Sequence, residues 1–164
     1  MQSPHQLEIC VAELQRHQFV FLHPDAMLSC QRSTQFHAVP DDLLSRRDRN
    51  HRWTAAQALR LPPPWKTCEA VLSETTHLLG GRGTASLAAL LRRGAIVCGY
   101  RFADDMNAVL KLLEKYADVP MSFADACLVR MTETTNDPVL LTTDTDFRIY
   151  RRHGRQIIPC VLPG

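Results

Sequence analysis

The chain has 164 residues, which fits one domain with a substantial core. Hydrophobic residues make up 45% of it and charged residues 22%, a globular balance that excludes a wholly disordered chain. Lys and Arg total 19 against 17 Asp and Glu, and the resulting +2 is too small to argue for a nucleic-acid partner by itself. Basic residues do cluster, at Arg46-Arg47-Asp48-Arg49, at Arg92-Arg93, and at Arg148, Arg151, Arg152 and Arg155. Each cluster alone reads as solvated surface.

Up to about residue 40 the chain is the hardest part to read. Gln18-Phe19-Val20-Phe21-Leu22 has strand character, and 28–40 shows no sustained period. A helix is predicted over 46–59, stopped by Leu61-Pro62-Pro63-Pro64, because proline cannot continue a helix and restricts the residue before it. Trp65-Lys66-Thr67-Cys68 reads as a short strand or a loop leading into the next helix. That helix is predicted over 69–79, with Gly80-Gly81 as its stop, and a further amphipathic helix over 84–93, closed by Gly94. Ile96-Val97-Cys98-Gly99-Tyr100 is a predicted strand, and 104–117 a helix whose apolar face is Met106, Val109, Leu110, Leu112 and Leu113. Another helix follows over 122–134, and then a strand over 139–143. Gln156-Ile157-Ile158-Pro159 reads as a last strand, at an edge because it contains proline. Strands alternating with helices predict an α/β three-layer fold with a mainly parallel central sheet.

The six cysteines, Cys10, Cys30, Cys68, Cys98, Cys127 and Cys160, form no CxxC pair and have no zinc-finger spacing. Cys68, Cys98, Cys127 and Cys160 lie in or beside apolar runs, where a free cysteine behaves as a small hydrophobe. This usage points to a reducing, cytoplasmic compartment. No apolar run approaches the ~18 residues of a membrane span, so no membrane partner is expected. The amino terminus lacks the basic start and unbroken apolar core of a signal peptide.

Three acids carry the functional expectation. Val139-Leu140-Leu141-Thr142-Thr143-Asp144 is a buried-strand pattern that stops at a carboxylate, and open α/β sheets place their sites at the carboxyl ends of strands. Asp-Thr-Asp at 144–146 equally suits a turn. Ser122-Phe123-Ala124-Asp125 has the S-x-x-D form of a capping box, so Asp125 serves either a helix start or a site. Glu74 falls within a predicted helix, where glutamates are commonly solvated. Convergent carboxylates hold hard metal ions. Neither HExxH nor paired-histidine spacing occurs, and no glycine-rich phosphate loop follows a strand, which argues against a zinc hydrolase and a nucleotide loop.

Taken in order, these segments resemble the PIN-domain nucleases, especially the VapC-type toxins, over roughly 42–159. Cys68-Glu69-Ala70-Val71-Leu72-Ser73-Glu74 resembles the family segment that ends on a metal-site acid. The stretch from Lys115 through Pro120 to Ala126 resembles a distinctive family motif with Asp125 as its site residue. Leu141-Thr142-Thr143-Asp144-Thr145-Asp146-Phe147 resembles the terminal strand, with Asp144 as site acid and Thr142 near it; Arg148, Tyr150 and Arg151 continue the pattern. The resemblance implies a PIN-like domain over 41–164 and a Mg2+- or Mn2+-dependent endoribonuclease, with Glu74, Asp125 and Asp144 as metal ligands and catalytic residues. It further implies an RNA substrate, an antitoxin protein that blocks the site, and a homodimer. Arg148, Arg151 and Arg152 are then candidates for tracking an RNA backbone.

One family feature is missing. The first site acid, expected at the end of the first strand in a Leu-Asp-Thr-like pattern, is not found; Asp25, Asp41 and Asp42 are the candidate replacements. Residues 1–40 thus form an atypical segment. Either the chain diverged and lost a ligand, or a reading-frame or start-site change replaced the true first strand. The alternative function is a catalytically degenerate PIN-like binding or regulatory module. A carboxylate-site phosphotransfer domain is a weaker third reading, since it also needs an acid after the first strand.

Overall fold

The computed structural model describes Phe21–His23, residues 51–61 and residues 63–164. In chain order these form β1 (Phe21–His23), α1 (His51–Arg60), β2 (Trp65–Cys68), α2 (Glu69–Arg92), β3 (Ile96–Tyr100), α3 (Phe102–Lys115), α4 (Phe123–Thr134) and β4 (Val139–Leu141). A 3-10 turn (Thr145–Arg148), β5 (Arg151–Arg152), β6 (Gln156–Ile157) and β7 (Cys160–Val161) follow. The fold is mixed α/β, as the alternating pattern predicts.

The main sheet has the order β3-β2-β1-β4-β7. Parallel pairing joins β2 to β3 and β4 to β7, while β1 runs antiparallel to both β2 and β4. Four strands therefore share one direction and the central one opposes them, which corrects the expectation of a mainly parallel sheet at its middle. A short apolar run carries no directional signal in its own residues, so the reversal was not readable. The direction matters for the missing acid. Phe21 pairs with Leu141 and His23 with Val139, so β1 ends at the edge of the sheet where β4 begins. An acid at the end of such a strand lies away from Asp144, at the opposite end of β4. Asp25, Asp41 and Asp42 themselves lie outside the described residues.

Helix α2 corrects a second expectation. It runs unbroken through Gly80-Gly81-Arg82-Gly83, where a stop was predicted. Glycine costs a helix only about 1 kcal/mol per residue, and the anchored segments on either side, Val71 and Thr75 before and Leu87 and Leu90 after, are buried and outweigh it. The true stop is Gly94 at φ +72°, in the left-handed region that glycine enters without a steric penalty. There Ala95 N–H donates to Leu90 O at 3.0 Å and Gly94 N–H to Leu91 O at 3.0 Å, a Schellman closure.

The third correction concerns the carboxyl-terminal strand. Gln156–Ile157 pairs with Arg151–Arg152 in a separate two-stranded ribbon, and the sheet edge is β7 instead. Pro159 still takes part through its carbonyl, which accepts from Leu140 N–H at 2.9 Å. Proline keeps that acceptor while lacking a donor.

Helix α4 lies at the centre of the described residues. Ala124, Ala126, Cys127, Leu128, Val129, Met131 and Thr132 are all buried, so the helix is enclosed on most sides, packing on α2, α3, β2 and β5. Below it, Tyr150 and Phe147 are fully buried and meet edge to face with centroids 5.3 Å apart; Tyr116 meets Tyr150 in the same way. Arg130 fastens the outer side by ion pairs to Asp105 at 3.0 Å and Glu133 at 2.9 Å.

Candidate acidic site

The site is built where β2 and β4 end. Both strands run opposite to β1, so their carboxyl ends share one edge of the sheet. From that edge β2 leads into α2, which carries Glu74, and β4 leads to Asp144. The start of α4 brings Asp125 to the same region.

Asp125 is fixed by its helix. Ser122 Oγ accepts from Asp125 N–H at 3.1 Å, and Asp125 Oδ2 accepts from Ser122 N–H at 2.9 Å, so the capping box read from the sequence is formed. The reciprocal bonds hold the carboxylate in one orientation and leave Oδ1 for another partner. Asp144 is fixed in a similar manner. Its N–H donates to Thr142 Oγ1 at 3.0 Å, and its Oδ1 accepts from Asp146 N–H at 2.8 Å, starting the 3-10 turn. Thr142 is itself buried. The turn role of Asp144 is therefore real, and it too leaves one carboxylate oxygen uncommitted. Glu74 is exposed on α2.

Electrostatics links the three. Asp125 is held up at about 6, mainly by burial, against the pull of the Ser122 hydrogen bonds; the negative charges of Asp144 and Glu74 raise it further. The same charges reach Tyr150, whose hydroxyl is pushed upward by burial and by Asp125, Asp146 and Asp144. Tyr150 Oη donates to Pro120 O at 3.2 Å and so ties the loop before α4 to the turn after β4. Among the described residues no ion pair neutralises Asp125, Asp144 or Glu74. Nor, among them, do three His, Cys, Asp or Glu side chains close into a ready metal cage. The donors fit a hard cation in kind, being oxygens of uncompensated like charge, and Mg2+ commonly takes only one or two protein carboxylates and keeps water.

The basic residues beside the site divide in a way the sequence did not indicate. Arg151 Nη1 donates to the carbonyls of Arg148, Ile149 and Tyr150 at 2.7, 2.9 and 2.8 Å, so this guanidinium closes the 3-10 turn rather than reaching outward. Arg152 is half-buried, with its Nη2 3.3 Å from His153 Nε2. Arg148 and Arg155 are exposed. The supporting roles of Ser122 and Tyr150 also emerge here. The S-x-x-D spacing signalled the first, and nothing local signalled the Tyr150–Pro120 bond.

No helix among the described residues is long and apolar enough to cross a membrane. Compared with protein-family models, with curated proteins and with solved structures, the chain matches none.

Proposed function

We propose that this protein is a PIN-like, metal-dependent endoribonuclease with a three-layer arrangement, the toxin of a toxin–antitoxin pair acting in the cytoplasm. The observation that carries the proposal is Asp125: a carboxyl held near 6 by burial and by Asp144 and Glu74, with one oxygen free and no basic partner among the described residues. Such a cluster is disfavoured until a cation neutralises it. Glu74, Asp125 and Asp144 are the residues that would hold Mg2+ or Mn2+, which supplies Lewis acidity toward a phosphodiester and activation of water near neutral pH. The capping bonds of Asp125 and Asp144 orient these donors, and Thr142 and Tyr150 hold the two backbone segments that present them. Arg148 and Arg155 are the exposed cations available to an RNA backbone. An antitoxin covering this edge and a homodimer belong to the same reading.

The test is cleavage of a structured RNA by the purified chain with and without Mn2+. Cleavage that needs Mn2+ and is lost in Asp125→Asn and Asp144→Asn is the expected result. No cleavage together with no Mn2+ binding removes the enzyme reading. It leaves the second one, a degenerate PIN-like binding or regulatory module. The direction of β1 favours that second reading, because a strand-terminal acid there points away from Asp144.

A further inference from the structure

A second cluster lies at the carboxyl ends of β2 and β3, on another side of α4. The two strands run parallel, and each leads into a helix. Thr67 pairs with Cys98 but Cys68 pairs with Tyr100, so β3 carries one extra residue, Gly99, in a bulge. The residues that follow, Glu69 and Arg101, thus leave the sheet from adjacent strand ends. Open α/β sheets bind ligands in the crevice outside such ends. Here the crevice is a cavity of about 350 Å3, at the small end of ligand pockets.

Its walls are aromatic. Tyr100, Phe102 and Phe123 line it, and Phe102 meets Phe123 edge to face with centroids 4.9 Å apart. Phe123 is nevertheless 42% exposed, so a large ring stays open to solvent where a ligand would cover it. Glu69 and Arg101 are the charged residues of the lining, and both are exposed. Among the described residues no ion pair joins them. Arg101 meets Asp104 instead, at 4.0 Å with both side chains exposed, a contact that holds it weakly. An apolar hollow therefore carries one carboxylate and one guanidinium at its rim, and the two do not cancel each other.

We propose that this cavity binds a free aromatic amino acid, with its ring against Phe102 and Phe123, its carboxylate on Arg101 and its ammonium on Glu69. The ring buries apolar area and adds a third aromatic to an edge-to-face pair. The guanidinium offers a carboxylate a planar fork of donors. A head group of both charges matches both rim residues. An amine alone leaves Arg101 unmatched, and an acid alone meets Glu69 with like charge. The same head group separates a free amino acid from a residue within a peptide, whose amide bonds remove both charges. The site shares no residue with Glu74, Asp125 and Asp144, so the inference stands apart from the nuclease reading.

The experiment is a ligand-observed NMR titration of the full chain with L-phenylalanine, phenylethylamine, phenylpropionate and N-acetylphenylalanine amide, the last standing for a residue within a peptide. Chelator is present, so that no cation at the acidic site captures a carboxylate. L-phenylalanine is expected to bind with a dissociation constant of about 1 mM or below. Each analogue should bind about fivefold more weakly, the scale of an exposed ion pair. Phe123→Ala should weaken L-phenylalanine by about tenfold through lost ring contact. Arg101→Ala, a change at an exposed position that leaves the core intact, should bring L-phenylalanine down to the affinity of phenylethylamine. No binding of L-phenylalanine overturns the proposal. So does any analogue that binds as tightly, or an affinity unchanged in both variants.

Discussion

Asp125 and Cys127 stand two positions apart on α4 and meet opposite surroundings. Residues at that spacing do not share a helix face. Asp125 is half-buried and feels the charges of Asp144 and Glu74, whereas Cys127 is buried against Cys68 beside an apolar cavity. One face presents hard oxygen donors of like charge, and the other presents soft sulfur. Both draw their second component from β2 and α2, through Glu74 in one case and Cys68 in the other. A single enclosed helix therefore presents unlike surroundings on two of its faces, both completed by the same strand–helix junction.

The comparison can be broken from the acidic side first. Tyr150→Ala removes a fully buried ring and the Pro120 bond from beneath that face, and should cost about 3–5 kcal/mol in denaturant unfolding. A loss under 1 kcal/mol would mean that the Tyr150 stack does not support the turn. Asp144→Asn keeps the shape of the side chain and removes its charge, so Mn2+-dependent RNA cleavage should fall by about 100-fold.

The pH dependence follows from Asp125. Its carboxyl is raised in the fold to about 6, so the native state holds a proton that the unfolded chain releases near 4. The contribution to stability is present below the unfolded value and is lost as pH rises through about 6. The metal-free protein should therefore lose stability between about pH 4 and 6 from this group, and Asp125→Asn should remove that slope by about 1 kcal/mol after discounting for solvent screening. Thermal melts across that range, with chelator present, measure it. Ser122→Ala deletes one half of the capping box and should lower stability by about 1 kcal/mol, the loss growing as pH rises through about 6 because the Ser122 side chain favours the charged form of Asp125.

Much of this was legible in the sequence. The S-x-x-D spacing gave the cap at Ser122 and Asp125, and the short apolar run before Asp144 gave β4 and its end. These are local signals, carried by residues a few positions apart. What was illegible depended on tertiary contact. Continuity of α2 through Gly80-Gly81 rests on anchors at both ends, which outweigh a weak local preference. The opposed direction of β1 appears only in its pairing with β2 and β4, between segments far apart in the sequence. The packing of Cys68 and Cys127 into one buried core joins distant segments without any motif, and the bulge at Gly99 that sets Tyr100 opposite Cys68 has no local signal.

The central claim is that Asp125, Asp144 and Glu74 act as one cation-binding site. Calorimetric titration of Mn2+ into the wild-type chain at pH 7.5 or so, and into Asp125→Asn and Asp144→Asn, tests it most directly. The account predicts binding to the wild-type chain, weakened by about tenfold or more in each variant. Mn2+ binding of the same strength in all three proteins, or no binding in the wild type, would contradict it.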